Sequence, residues 1–281
     1  MTLCKNLSII HSMQLRVLHL NIFQGKFLPD IITYVKQHDF DLLHFQEVTG
    51  GNFSKGGVWS GKRAHFTTSN PNTVGLNCFS EIKKQLGFQG ILNTTITKRA
   101  DHASYFGNAT FFKPFLKLVA TKELFLKKYA EIKDLPMPPQ DSPRAALTTV
   151  FTFGKKEIAF INCHLAWGPT GDDQPHKLEQ GKILHEYVQS LKQPFVLTGD
   201  FNVDKNSQVV KWMEELGRNL VVEHGITNTL NPNIHSAQQL FPKGLGVDFA
   251  FVSKSLTITD FHLVDVPDLS DHLGLSLTLE I

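Results

Sequence analysis

The chain has 281 residues, 41% hydrophobic and 19% charged, which excludes wholesale disorder and leaves room for one domain with a sizeable core. A formal net charge of +2 is too small for a protein that grips duplex nucleic acid through many phosphates, although local charge can still serve such a substrate. Three cysteines, Cys4, Cys78 and Cys163, fit neither a zinc pattern nor a disulfide scaffold and suit a reducing, cytoplasmic compartment.

Residues 1–14 read as a tail outside the fold, with an apolar stretch too short for a signal peptide. Residues 15–281 alternate short apolar runs with amphipathic stretches, the pattern of a single α/β domain. Leu15 to Ile22 is a buried-type strand. Pro29-Asp30 then opens a helix to about His38, with Pro in the first turn and Asp favourable to the dipole. Asp41 to Gln46 is the next strand, and Thr49 to Asn72, rich in Gly, Ser, Asn and Thr, predicts a loop. Phe79 to Leu86 predicts a short helix, and Ile91 to Thr97, Ala109 to Phe112 and Leu116 to Phe125 predict strands. The Lys- and Pro-rich stretch from Lys127 to Arg144 reads as a long surface loop rather than a linker. Ala146 to Phe153 and Glu157 to Cys163 form a hairpin about Gly154. Leu178, Ile183, Leu184, Val188 and Leu191 share one helical face. Phe195 to Thr198 is a strand, and Ser207 N-caps a helix to about Leu216. Val247 to Val252, Leu256 to Val264 and Leu273 to Ile281 close the domain as strands. No apolar run approaches the roughly 18 residues of a membrane span, so integral membrane association is not expected. No protein partner is implied, and a monomer is expected.

Polar residues recur where apolar strands end. Asn21 ends LRVLHL, Glu47 ends DLLHFQ, His164 ends IAFINC, Asp200 and Asn202 follow FVLTG, Asp248 opens VDFAFV, and Asp271-His272 precede the last strand. Any one of them alone is more often a turn or cap residue. Together, at the edge of a sheet where open α/β folds place ligands, they make an oxygen-rich set suited to Mg²⁺, Mn²⁺ or Ca²⁺ rather than zinc. The two histidines add proton donors or phosphate contacts.

The ordered motifs LNI, FQEV, NCHL, GDFN, VDFAFV and SDH resemble the endonuclease/exonuclease/phosphatase superfamily over nearly the whole chain. The resemblance implies an α/β, four-layer sandwich: two mixed, mostly antiparallel sheets packed face to face with helices outside. It implies a phosphoester hydrolase using Mg²⁺ or Mn²⁺. Glu47 would be the main metal ligand, with Asn21 and Asp271 close by. Asp200 would orient or deprotonate the attacking water, and Asn202 would hold the phosphate and fix that carboxylate. His272 would stabilise the transition state, oriented by Asp248, while His164 would contact the phosphate or help protonate the leaving group. Asn108, Arg144 and Trp167 are weaker candidates for substrate contact; for Arg144 a solvated loop arginine is the plain alternative.

The likeness departs from abasic-site endonucleases, because Phe23 stands where they carry an acid and no Trp precedes Asp248. NCHL looks instead like the NTHL of the deoxyribonuclease, sphingomyelinase and inositol-phosphatase branches. A nuclease acting on nucleic acid or nucleotides is the first reading. A sphingomyelinase-like or inositol or lipid headgroup phosphoesterase is the alternative, and a non-catalytic binding module comes last. Lys55, Trp59, Lys62, Arg63, His65 and Phe66 could stack on bases and hold phosphates or form a solvated loop. Asp172 and Asp173 would repel a polyanion, unless they are plain turn acids.

Overall fold

The computed structural model describes residues 13–51, 77–98, 104–128, 130–132, 139–168, 170–235, 244–266 and 269–281. Of the expected tail of residues 1–14, residues 1–12 lie outside the described residues, as do the loop residues from Lys55 to Phe66, whereas Gln14 belongs to the first strand and pairs with Glu280.

Side chains alternate across a strand, so one strand can serve two cores. In β1 (Gln14–Asn21) Leu18 and Leu20 join one core, while Leu15 and Val17 join the other. The first sheet is built on this strand. β1 pairs in parallel with β2 (Leu42–Gly51) and antiparallel with β13 (Gly274–Glu280), which pairs with β12 (Thr257–Val264). On the far side of β2 follow β4 (Ser104–Phe112), β3 (Gln89–Lys98) and β6 (Ala130–Ile132). The second sheet runs β10 (Arg218–Asn219), β11 (Asp248–Val252), β9 (Phe195–Asp200), β8 (Lys156–His164), β7 (Arg144–Phe153) and β5 (Lys117–Lys127).

Helices cover both outer faces. Ile31 and Val35 of α1 (Leu28–His38) and Ile82 of α2 (Cys78–Leu86) pack with Leu18, Leu20, Leu43 and Phe45 of the first sheet. Leu184 and Val188 of α3 (Pro175–Gln189) and Val209 and Met213 of α4 (Gln208–Leu216) join the core of the second sheet. Tyr187 of α3 donates its hydroxyl to Thr148 Oγ1 at 2.8 Å. The result is the four-layer α/β sandwich expected from the sequence. Ser207 caps α4, accepting from the Val209 N–H at 3.0 Å. Asp173 joins that cap by accepting from Ser207 Oγ and the Gln208 N–H, so it serves as a structural acceptor at a helix start.

The layer between the sheets changes character along its length. Inward-facing positions read Leu15, Val17, His19, Asn21 on β1 and Phe160, Asn162, His164 on β8. Register aligns the polar ends: His19 lies beside His44 and Asn21 beside Gln46, while in the second sheet His164 lies beside Asp200 and Asp200 opposite Asp248. One end of the sandwich is therefore apolar and the other is lined with acids, amides and imidazoles.

Several elements differ from the sequence expectation. β2 does not stop before Glu47 but runs through a bulge and resumes pairing as Val48 with Gly107. The Lys127–Arg144 segment is not all loop, because β6 adds to the first sheet in parallel with β3 and a 3-10 turn covers Pro139–Asp141. β10 and α5 (Leu220–Glu223) are too short to leave a periodic signal. Among the described residues no helix is long and apolar enough to cross a membrane. Cys78 and Cys163 are buried; Thr49 Oγ1 donates to Cys78 Sγ at 3.1 Å, and burial pushes the Cys78 thiol up to about 11.

Gly199 sits between Thr198 and Asp200 on β9, and a Cβ there would overlap Cys163 Sγ and the Cys163 carbonyl of the neighbouring strand. Gly199→Ala should therefore force β8 and β9 apart and cost about 1–3 kcal/mol of stability. Thermal denaturation measures it, and an unchanged melt would contradict this close strand contact.

Candidate active site

Asp200 is the hub of the polar end. It is buried at the tip of β9 and its two oxygens are held differently. Oδ1 accepts from the Asn202 N–H at 3.0 Å; Oδ2 accepts from Asn21 Nδ2 at 3.1 Å. His164 Nε2 lies 3.4 Å and His272 Nε2 3.8 Å from the same Oδ2. Burial pushes the carboxyl up to about 7; Asp248 and Glu47 push the same way, against the lowering effects of His272 and Asn21. Asn202 adopts a left-handed backbone, φ 53°. Its side chain donates to the Leu165 carbonyl at 3.0 Å, and its own carbonyl accepts from the buried Lys177 ammonium at 2.8 Å.

Glu47 reaches the site by way of the bulge in β2. Gln46 and Glu47 face Asn108 across the break in register, and Glu47 takes φ 57°. A bulge re-aims a side chain out of the alternation of the strand. Gln24 Nε2 donates to Glu47 Oε2 at 3.2 Å from a turn in which Phe23 and Gln24 also take positive φ. Asp271 approaches from the segment before β13, accepting from Ser270 Oγ at 3.2 Å. Burial, and then Glu47 nearby, push Asp271 up to about 6 despite His272.

His272 is oriented by Asp248. Their Nδ1···Oδ2 distance is 2.8 Å, and Asp248 Oδ1 lies 2.9 Å from His19 Nε2. Burial alone would lower His272, but Asp248 and Asp200 hold it well above the ordinary imidazole value. Burial likewise opposes the charge on Asp248, yet His272 and His19 keep it well below the usual carboxylate range. His164 behaves oppositely: burial, then Arg144 and His272, hold it well below its ordinary value and favour the neutral ring.

The structure thus gathers Asn21, Glu47, His164, Asp200, Asn202, Asp248, Asp271 and His272 at one end of the sandwich. Asn108 belongs to its floor, opposite the bulge, and donates Nδ2 to the Ala145 carbonyl at 2.8 Å. Arg144 is not a solvated loop arginine: it opens β7, and its guanidinium donates to the Leu165 carbonyl at 3.0 Å and to Ser142 Oγ at 2.9 Å. Trp167 stands 50% exposed on the loop leaving His164, clear of the core. The sequence reading passed over His19, Gln24, Gln46, Asn162, Lys177 and His235. The inward parity of His19, two residues before Asn21, was the available signal. His235 packs edge-on to the His272 ring at 5.6 Å, and burial and then His272 lower it to about 4.

A cation fits this donor set. Burial first, and then Asp248 and Glu47, raise Asp200, while burial and then Glu47 raise Asp271, so Glu47 repels both carboxyls. Nearby carboxylates with strained ionisation are what a divalent ion neutralises, and oxygen donors suit Mg²⁺ or Mn²⁺. Ligand atoms of His235, Asp271 and His272 lie within 4.8 Å of one another, as do those of Asp200, Asp248 and His272. In the second group Asp248 and His272 already satisfy each other, and neither group includes Glu47. Asn21 is occupied as a strut, its Oδ1 accepting from the Phe23 N–H at 3.1 Å and its Nδ2 bound to Asp200.

A sequence model of the endonuclease/exonuclease/phosphatase family matches residues 18–272. No curated protein matches the sequence. Among solved structures the fold is similar to an endonuclease/exonuclease/phosphatase protein of Bacteroides vulgatus, with a TM-score of 0.69 and 16% identity over 96% of this chain and 99% of that one. It is similar to a mannosyl-6-phosphatase of Bacteroides thetaiotaomicron, with a TM-score of 0.62 and 18% identity over 95% of this chain and 100% of that one. It is also similar to the human Nocturnin catalytic domain, with a TM-score of 0.63 and 17% identity over 95% and 93% of the two chains. Identities this low show a shared fold and leave chemistry to the site.

Mg²⁺ or Mn²⁺ should raise the melting temperature, and the increment should shrink as the pH falls through about 6. The sign follows from Asp271: its carboxyl is neutral below that point and must release a proton to ligate. Differential scanning fluorimetry across pH reads this. Glu47→Gln should reduce the increment, whereas an increment independent of pH and of Glu47 would place the ion elsewhere.

Proposed function

The chain belongs to the endonuclease/exonuclease/phosphatase family, and on that premise we propose that it hydrolyses a phosphodiester by in-line attack of water with Mg²⁺ or Mn²⁺ held at Glu47 and Asp271. Asp200 carries this reading: a buried carboxyl poised at about 7, fixed by Asn21 and the Asn202 N–H, with two imidazoles facing one oxygen. A group that titrates near neutral pH is well matched to removing a proton from water. The bound ion would supply charge neutralisation for the phosphoryl oxygens.

The residues divide the work by their protonation. Asp200 takes a proton from the water whose oxygen bonds to phosphorus, while the ester bond breaks and the leaving oxygen departs with its electron pair and takes a proton from solvent. His272, held protonated by Asp248, presents Nε2 as a donor to a phosphoryl oxygen as charge grows there. His164, favoured neutral, offers an N–H to the phosphate without adding a second full charge. Asn202 is held in its left-handed conformation by Lys177 and Leu165, which keeps its N–H on Asp200.

Nucleic acid or a nucleotide is our first substrate class, and a sphingomyelinase-like or inositol headgroup phosphoester is the second. Trp167 supports both, because an exposed indole beside the site can stack on a base or enter a lipid interface. The NCHL segment that positions His164 motivates the second. Non-catalytic binding ranks last because no proposed catalytic position lacks a functional side chain.

Purified protein should release nitrophenol from bis-p-nitrophenyl phosphate with Mg²⁺ or Mn²⁺ and lose the activity to a chelator. Asp200→Ala and His272→Ala should each lower kcat by at least about 100-fold. Full activity in both variants would sink the assignment. Parallel assays on single-stranded DNA, RNA, sphingomyelin and phosphoinositides decide the substrate class, and turnover of none of the nucleic acids would discard the first choice.

A further inference from the structure

A chain of buried polar groups runs from the active site into the middle of the sandwich, and none of it beyond Asp248 has a role in the reaction as described above. Its far end is Asn162 on β8, whose Nδ2 faces two backbone carbonyls, Phe45 at 3.1 Å and Ala109 at 2.9 Å. Carbonyls only accept, so the amide orientation of Asn162 is fixed and Oδ1 is the atom left to face Gln46. Gln46 Nε2 lies 2.6 Å from that Oδ1. The opposite amide orientation would set two carbonyl oxygens against each other at that distance, so the amide nitrogen of Gln46 is fixed as well. The same nitrogen lies 3.2 Å from His19 Nδ1. One of its two hydrogens goes to Asn162 and the other points between the His44 carbonyl at 3.4 Å and His19 Nδ1, so Nδ1 faces a donor and accepts, and Nε2 bears the His19 proton. Nε2 is 2.9 Å from Asp248 Oδ1.

We infer that His19 is a positioning residue for the catalytic imidazole: it donates Nε2–H to Asp248 Oδ1 and thereby fixes the carboxylate that orients His272. The chain of constraint begins at backbone carbonyls of the first sheet and ends on the second, so no side chain in it can flip alone. With Oδ1 held by His19, Oδ2 is the oxygen presented to His272 Nδ1 at 2.8 Å. The Asp248 N–H donates to Thr229 Oγ1 at 3.0 Å and holds the backbone in place. His272 is then obliged to carry a proton on Nδ1 and to point Nε2 into the site. The local fit is costly: Gln46 Oε1 finds no partner among the described residues.

The inference rests on the phosphoesterase reading, and its test has one arm that does not. In His19→Leu, kcat should fall about 10- to 100-fold with KM little changed, the range for loss of a group that orients a reacting one. His19→Gln, whose amide can still donate to Asp248, should restore most of it. In an Asp248→Ala background His19→Leu should cost no more than about twofold, since coupled residues are not additive. An undiminished penalty there, or wild-type kcat in His19→Leu, would overturn the inference. The independent arm is ¹⁵N NMR of the wild-type histidines, with His19 assigned by its loss in His19→Gln. Protonated Nε2 and bare Nδ1 are expected at His19. Protonated Nδ1 would overturn the inference, even for a chain that cleaves no phosphoester.

Discussion

Asp248 is a carboxylate sealed between two sheets with no access to water, and its charge must be balanced by protein groups alone. An unpaired charge there would cost several kcal/mol, roughly the stability of a whole domain. His272 balances it from the segment before β13, His19 on β1 donates a hydrogen bond to its other oxygen, and the Thr229 hydroxyl accepts from its backbone N–H. The pair polarises itself: Asp248 keeps His272 protonated, and His272 keeps Asp248 ionised. Because the two histidines belong to one sheet assembly and Asp248 to the other, the ion pair also locks the relative position of the two sheets at the active end.

That lock allows strained pieces to sit where the chemistry needs them. Among the described residues five non-glycine positions take positive φ, and four of them, Phe23, Gln24, Glu47 and Asn202, belong to the site. Such conformations cost of order 1–3 kcal/mol each and persist only where surrounding structure dictates them. Here the β2 bulge sets Glu47, Gln24 bonds its carboxylate, and Lys177 holds Asn202 from behind. The apolar remainder of both cores supplies the stability that offsets this.

Strand tips were legible in the sequence because a run such as FVLTGD ends its apolar alternation in the residue that carries the function. The α/β layering was legible for the same reason, together with caps such as Ser207 and Pro29. Glu47 was seen, but its place in a bulge was not, since a bulge is defined by the partner strand and not by the bulged one. His19 has the parity of Asn21 but ends no strand and belongs to no motif; its partner Asp248 is 229 residues away, beyond any local pattern. The same distance problem hid Asn162 and Lys177. Arg144 looked loop-like because the Pro-rich stretch before it masked the start of β7. Substrate choice was not legible, because exposed loop residues such as Trp167 meet few constraints from the fold.

The proposed hydrolysis requires a divalent cation at Glu47 and Asp271 beside the Asp200–His272 pair. Crystals soaked in Mn²⁺ and measured for anomalous scattering test it most directly. The predicted result is a peak within bonding reach of the Glu47 and Asp271 carboxylates. A map with no peak between them, or a peak only elsewhere on the molecule, would contradict it.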